Sequence, residues 1–452
     1  MMGSSPSPMT ASVKEADEAF FRLSGEFLAH GRETPALLQS VLAADPDHVL
    51  GWSAKAMFAV MLGQGELLPC ARDAAMRAAT SLRRCGGGLR ETAYAEAAER
   101  LTAGDWLGGV AAIERALDAD PSDSMAAKIS HGVRFMIGDR EGMLASIERV
   151  IARVGLQHPH SGFLLGCKSF ALEENGRCRE AEFIGRSAVD REPRDAWGMH
   201  AVSHSHEMTG RPEEGVRWLE GRRGAFTHCN NFRFHLFWHL ALFRLDLGDI
   251  AGVLDLYDTH VRGERTDDFR DIANAASLLQ RLELDGVDVG SRWEELGEAC
   301  AGRVQDRTLV FADLHYVMAL AGAGRGEAAS AIIDGLSGSA PRWSALQVEI
   351  AAKSGAAAAR GVLAWREGRH GDAAELMLKA RADLPGVGGS HAQRDVFEQI
   401  LIDSAVRSAH PMAQALLLNR LARRGGRNAF AKRRLEAMAR AGARQGAARL
   451  AR

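Results

Sequence analysis

The sequence predicts an all-α chain wound into a right-handed superhelix of stacked antiparallel helix pairs. Three observations carry that expectation. Ala, Leu, Arg and Glu dominate, and only 12 prolines and three tyrosines occur in 452 residues, a composition of good helix formers. Gly-Asp or Gly-Arg turns recur at Gly104-Asp105, Gly138-Asp139, Gly176-Arg177, Gly210-Arg211 and Gly248-Asp249, spaced 34, 38, 34 and 38 residues. An acidic residue precedes proline at Asp45, Asp120 and Glu192, about two such periods apart each time. No stretch of useful length alternates apolar and polar residues as a half-buried strand does.

Each part of the chain follows from these markers in turn. Residues 1–14 read as a disordered tail, and with no basic stretch leading into an apolar one they do not form a signal peptide. Residues 15–419 read as the repeat domain. Glycine ends the first helix of each pair in a left-handed residue. Proline stops the second helix and biases the residue before it away from α. A period near 34 with these two markers is the tetratricopeptide signature. Between markers the helical period is clear: Met143, Ile147, Val150 and Ile151 share one face, as do Val216 and Leu219. Such a pair cannot bury its stripe alone, but stacked pairs bury a continuous core. The repeat weakens between 258 and 308, where GVDVGSR reads as a loop. Two looser turns follow at Gly324-Arg325 and Gly368-Arg369.

Residues 420–452 form an Arg-rich C-terminal segment with eleven Lys or Arg and one acid, Glu436. In a chain that uses 49 Arg and 7 Lys, a solvated terminal helix accounts for it; an anionic contact is the alternative. The net charge of −2 excludes a polycation built for nucleic acid, and no apolar run reaches about 18 residues, so neither nucleic acid nor membrane is an expected partner. Six cysteines at irregular spacing, with no CxxC pair, do not make a secreted disulfide framework, and a cytoplasmic location is expected.

Chemistry concentrates in two successive repeats. In AWGMHAVSHSHEM, His200, His204 and Glu207 fall four and three apart, on one helical face. In FRFHLFWHLALF, His235 and His239 are again four apart, and each lies 35 residues after its counterpart, one repeat on. With helices packed about 8–10 Å apart, four imidazoles and a carboxylate converge on one pocket at the inner wall. Asp313 and His315 in FADLHYVMA, and Arg394 in GGSHAQRDVFEQ, are further candidates to line it. Arg394 suits a carboxylate or phosphate, or pairs with Asp395 or Glu398.

Three readings stand at this point. A buried polar network or ligand pocket needs only hydrogen bonding. Metal-free acid–base catalysis would use His204 or His239, oriented by Glu207 or Asp313. A zinc-type site would use His200, His204 and Glu207, although no HExxH is present. No cofactor and no metal ligand set is assigned. Trp197, Trp218, Trp238 and Trp293 read as core, or as walls for a planar ligand. Cys229 follows His228, but adjacency in sequence does not make a catalytic dyad. No Walker A loop, GxGxxG or GxSxG motif is present.

The motifs HAVSHSHEM (200–208), FHLFWHLALF (234–243), LYD (256–258), SLLQRLELDGVDVGSRW (277–293), FADLHYVMA (311–319) and GGSHAQRDVFEQILI (388–402) resemble the tetratricopeptide repeat protein 38 family, over about residues 45–420. The family pattern falls on His200, His204, Glu207, His235, Trp238, His239, Asp258, Arg281, Asp313, His315, Gln393, Arg394 and Asp395. It departs at Leu236 and Ala312, where relatives carry Asn, and His391 falls where relatives can carry Asn. The resemblance implies the superhelix and no established activity. The expected function is recognition of a small polar ligand or a protein segment in a concave pocket lined by His200, His204, Glu207, His235, Trp238, His239, Asp313, His315 and Arg394. The alternative is an enzyme whose acid–base or metal-assisted chemistry uses the histidine cluster, with His204, His239 and Glu207 as its catalytic groups.

Overall fold

The computed structural model describes residues 11–338 and 342–450, with side chains over 14–338 and 342–440. Of the tail expected at 1–14, residues 1–10 lie outside the described residues, and the first helix begins at Ala11. The chain is a tetratricopeptide-like array of antiparallel helix pairs, and no strand occurs among the described residues. All seven turn glycines marked in the sequence adopt φ between 66° and 82°, the region an L side chain avoids. The aspartates after three of them cap the next helix. Asp105, Asp139 and Asp249 accept from the backbone N–H of Gly108, Gly142 and Gly252. At Asp45, Asp120 and Glu192 the backbone turns extended before the proline, which ends the second helix of the pair.

The stretch at 258–308 does not interrupt the array. A π-turn at Tyr257–Val261 leads into the pair Phe269–Leu284 and Arg292–Ala301, with the GVDVGSR loop between the two helices. The weak spacing there reflects an inserted linker rather than a missing repeat.

First helices line the inside. Ser161–Glu174, Ala196–Met208, Phe269–Leu284, Val310–Gly322 and His391–Arg407 are buried on almost every side. Second helices such as Cys178–Arg191 bury one stripe only. The cause is that successive turns of the superhelix touch. Trp343 Nε1 donates to the Thr102 carbonyl at 3.1 Å and Ser344 Oγ to that of Gly104 at 2.7 Å. Arg424 Nη1 reaches the Glu207 carbonyl at 3.1 Å, and the His391 N–H reaches Glu174 at 2.7 Å. Near the N-terminus Gly31 forms an antiparallel bridge with Cys229. These partners are 198–241 residues apart in sequence, so a helix face that would line an open groove in a shallower coil meets the next turn instead.

The Arg-rich end is only partly solvated. Arg423 and Arg433 are exposed as a terminal helix face should be. Arg420 and Arg424 are buried on Asp395, and Arg424 also carries a closing contact, to the Glu207 carbonyl.

Candidate functional site

His200 and His204 come from Ala196–Met208, and His235 and His239 from Phe232–Asp246. Both helices are first helices of adjacent repeats, so the two i, i+4 pairs face each other across the inner wall. The four rings pack at centroid distances of 4.3–5.0 Å along five of their six pairings. Each offers one nitrogen such that all four lie within 4.8 Å of one another. His200 Nε2 sits 2.8 Å from His204 Nε2 and 2.9 Å from His235 Nε2.

The opposite nitrogens are held from behind. His204 Nδ1 lies 3.1 Å from Glu173 Oε2, His235 Nδ1 is 2.8 Å from Asn274 Oδ1, and His239 Nδ1 is 3.2 Å from Glu207 Oε2. Oxygen acceptors at those three positions place the proton of each neutral ring on Nδ1. The three Nε2 atoms then present lone pairs toward the centre. His200 brings one proton at most to its two short contacts, and the Nε2 of His239 has no hydrogen-bond partner among the described residues. Burial drives the charge off these rings: His200, His235 and His239 are all held well below the ordinary imidazole value, first by desolvation and then by one another. Three lone pairs and at most one proton in a buried site form an electrostatic deficit that a cation would fill.

The carboxylates supply the matching charge. Burial would raise Glu173, but the hydrogen bonds from His204 and His391 hold it below the usual carboxylate range. Glu207 is raised by burial, and Arg424 opposes the rise. Trp238 stacks on His235 with rings 5.1 Å apart and 16° between planes, and the Arg281 guanidinium lies 5.4 Å over its face.

Of the residues singled out in the sequence, His200, His204, Glu207, His235, Trp238 and His239 meet here. Asp313 and His315 do not. Asp313 faces Arg342 at 2.7 Å, and His315 Nδ1 turns back onto the Phe311 carbonyl of its own helix at 2.8 Å. Arg394 reaches the site one step removed, through Glu174 at 3.1 Å. Asp395 pairs with Arg420 and Arg424 rather than with Arg394. His391 contacts Glu173 at 3.4 Å and opens onto a cleft of about 180 Å³ that Arg394, Asp395, Arg420 and Arg424 also line. His206 faces away from the cluster, buried against Arg186 at 3.4 Å. Cys229 is 3.6 Å from His228 Nε2, yet burial pushes its thiol up to about 12, so it is no thiolate nucleophile.

Sequence reasoning missed Glu173 and Asn274. A signal for Glu173 existed: it stands three residues before the turn glycine Gly176, as Glu207 stands three before Gly210. Each glutamate closes a first helix and meets the histidine of the following repeat. Asn274, on the helix after His235, carries no such register mark.

No family model matches the sequence. The chain is similar to a chain of the solved structure of Naa15/Naa10 bound to HypK-THB, with 12% of residues identical and a TM-score of 0.26. The alignment covers 92% of this chain and 68% of that one. That likeness is too distant to carry an argument about the site. No described helix is long and apolar enough to cross a membrane.

Proposed function

We propose that this helical-repeat chain is a metal-binding protein whose His200, His204, His235 and His239 hold one first-row transition ion. The observation that carries the reading is the back-side fixing of three rings by Glu173, Asn274 and Glu207, which leaves their Nε2 lone pairs converging. Imidazole suits zinc, iron, copper or nickel, and a histidine ligand commonly donates its other N–H to a carboxylate or amide oxygen. A tetrahedron of bonds about 2.0–2.1 Å long sets neighbouring nitrogens roughly 3.4 Å apart. The nitrogens, from 2.8 Å up to 4.8 Å apart, need shifts of about 1 Å or less to match. Glu173 and Glu207, both buried, balance a divalent charge there.

The enclosed inner wall favours a small polar ligand over a protein segment. An ion held by all four imidazoles has no open position, so it would act as a Lewis acid toward such a ligand only by gaining a fifth ligand or releasing one histidine. The chain's own part is to orient the rings, exclude water, and accept a proton at a carboxylate or imidazole beside the centre. Membership of the tetratricopeptide repeat protein 38 family is part of the same proposal. Its support is that His200, His204, Glu207, His235, Trp238 and His239 of the motif meet at one centre. Six unpaired cysteines support a reducing, cytoplasmic setting.

The test is metal content of the purified, tag-free chain by plasma mass spectrometry, before and after stripping and reloading with zinc, iron, manganese, copper or nickel. About one ion per chain, lost in His204→Ala with helicity unchanged, is the expected result. A folded wild-type chain that retains and takes up none of these ions overturns the metal reading. The His239–Glu207 pair would then stand as the acid–base group of a metal-free pocket.

A further inference from the structure

A second set of polar groups, outside the four-histidine centre, surrounds the indole of Trp197. Lys128 Nζ lies 4.2 Å from its ring centroid. The indole N–H donates to His131 Nε2 at 3.1 Å. His30 stacks on the ring at 5.4 Å, with planes 16° apart, and His200 lies 4.9 Å away. Among the described residues Lys128 Nζ and His131 Nδ1 are buried and without a hydrogen-bond partner, and so is His30 Nε2. Because His131 accepts at Nε2, its Nδ1 carries the proton. Lys128, only 5% exposed, makes no ion pair among the described residues. Lys128 and His131 are thus donors without an acceptor among the described residues, an expensive arrangement to keep inside a protein.

The nearest internal acceptor, Asp195, stands beyond ion-pair distance, and both its oxygens are themselves buried without a hydrogen-bond partner among the described residues. Asp195 influences Lys128 but forms no ion pair with it. Its carboxylate is boxed by Gly166 and Gly198, where a Cβ would stand 2.1 and 2.3 Å from one of its oxygens. Burial raises Asp195 to about 7, which removes much of its charge at neutral pH. Meanwhile the aromatic wall is not closed. Phe135 and Phe232, at 6.1 and 5.5 Å from Trp197, are only half-buried. So are Phe27 and Phe58, stacked on each other 4.4 Å apart on the helices beside them. Most other large rings of the first helices are buried.

We propose that Lys128, His131, Trp197 and Phe232 form a binding site for a small carboxylate with a flat apolar body. The anionic end takes the N–H groups of Lys128 and His131. The body lies beside the cluster that Trp197, Phe232 and His30 form, with rings 4.2–5.5 Å apart. One carboxylate accepts through about four lone-pair positions, enough for both donors. The site goes beyond the metal reading and stands without it, since neither Lys128 nor His131 belongs to the four-imidazole centre. With a metal present, a carboxylate so held sits one ring away from His200.

The experiment titrates benzoate and its neutral analogue benzyl alcohol into the full chain, metal-stripped and zinc-loaded, followed by calorimetry and tryptophan fluorescence. Benzoate is expected to bind saturably to the stripped chain, at least tenfold more tightly than benzyl alcohol. Lys128→Met should lose at least tenfold in benzoate affinity while melting cooperatively. Two results overturn the proposal: no charge discrimination in the wild-type chain, or benzoate affinity unchanged in a folded Lys128→Met. Binding seen only with zinc also overturns it, because that carboxylate would be bound by the ion. The charge comparison is made on the wild-type chain, so a misfolded variant does not leave the question open. Metal content is measured separately, so failure here and failure of the metal reading are distinct.

Discussion

Asp395→Asn tests whether one buried carboxylate holds Arg424 where it reaches the Glu207 carbonyl of the preceding turn. Asp395 accepts from Arg420 Nη1 and Nη2 at 2.5 and 2.8 Å, from Arg424 Nη2 at 2.7 Å and from Gln399 Nε2 at 2.7 Å. All three charged groups are buried. Breaking a buried pair by removing one partner costs about 3–5 kcal/mol, because the surviving charge stays desolvated. Two guanidinium groups survive here, so the upper part of that range, about 4–5 kcal/mol, is expected for Asp395→Ala. Asn keeps one acceptor oxygen, and about 3 kcal/mol is expected for it. The assay is urea unfolding followed by far-ultraviolet circular dichroism. A double-mutant cycle with Arg420→Met should return most of the loss as coupling energy.

The pH dependence has a definite sign. Burial would raise the Asp395 carboxyl, but Arg420 and Arg424 hold it well below its ordinary value. A depressed carboxyl contributes stability that is present above the unfolded value near 4 and lost as pH falls toward the folded one. The gap between wild type and Asp395→Asn should therefore be constant from pH 8 to 5 and narrow below about 4. A gap under about 1 kcal/mol at pH 7, or one that grows on acidification, refutes the reasoning.

Other expectations follow from single contacts. Glu173→Gln removes the carboxylate behind His204 and should weaken metal binding roughly 10–100-fold without unfolding the chain, as measured by competition with a chelator. Gly210→Ala should destabilise by more than Gly176→Ala in the same urea assay. Both have positive φ and pay about 1 kcal/mol of backbone strain, but only at Gly210 does a Cβ meet backbone, the Arg424 carbonyl oxygen at 2.4 Å. Equal losses at the two sites would argue against contact between successive turns. Cys229 should resist alkylation by iodoacetamide at pH 8 in the native chain, while exposed Cys70 and Cys85 react.

The helix pairs were legible because their punctuation is local. A turn glycine needs a left-handed residue whatever surrounds it, and an X-Pro step ends a helix by its own sterics, so period and boundaries could be read from 34-residue spacing. The histidine cluster was legible for the same reason, since two i, i+4 pairs one repeat apart are a local pattern repeated. What the sequence hid depends on pitch. Nothing in residues 200–239 says that Arg424 will reach the Glu207 carbonyl, or that His391 will lie against Glu173. Asp313 and His315 read as further lining residues, but Arg342 and the Phe311 carbonyl, which no local pattern marks as their partners, receive them instead. The charge pattern at the C-terminus failed for a related reason. Arg420 and Arg424 differ from their exposed neighbour Arg423 only in which face the next turn covers.

Contact between successive turns also bears on how the chain reaches its native state. An ordinary open array touches only its neighbours and can grow from any point, one pair at a time. Here Glu174 waits for His391 and Glu207 for Arg424, each 217 residues further along. During synthesis the four histidines emerge together, about midway, but the carboxylate scaffold behind them is completed only when the last helices dock. High contact order of that kind slows the final step. It also makes Arg424, which reaches the centre only through Glu207, a checkpoint for its assembly.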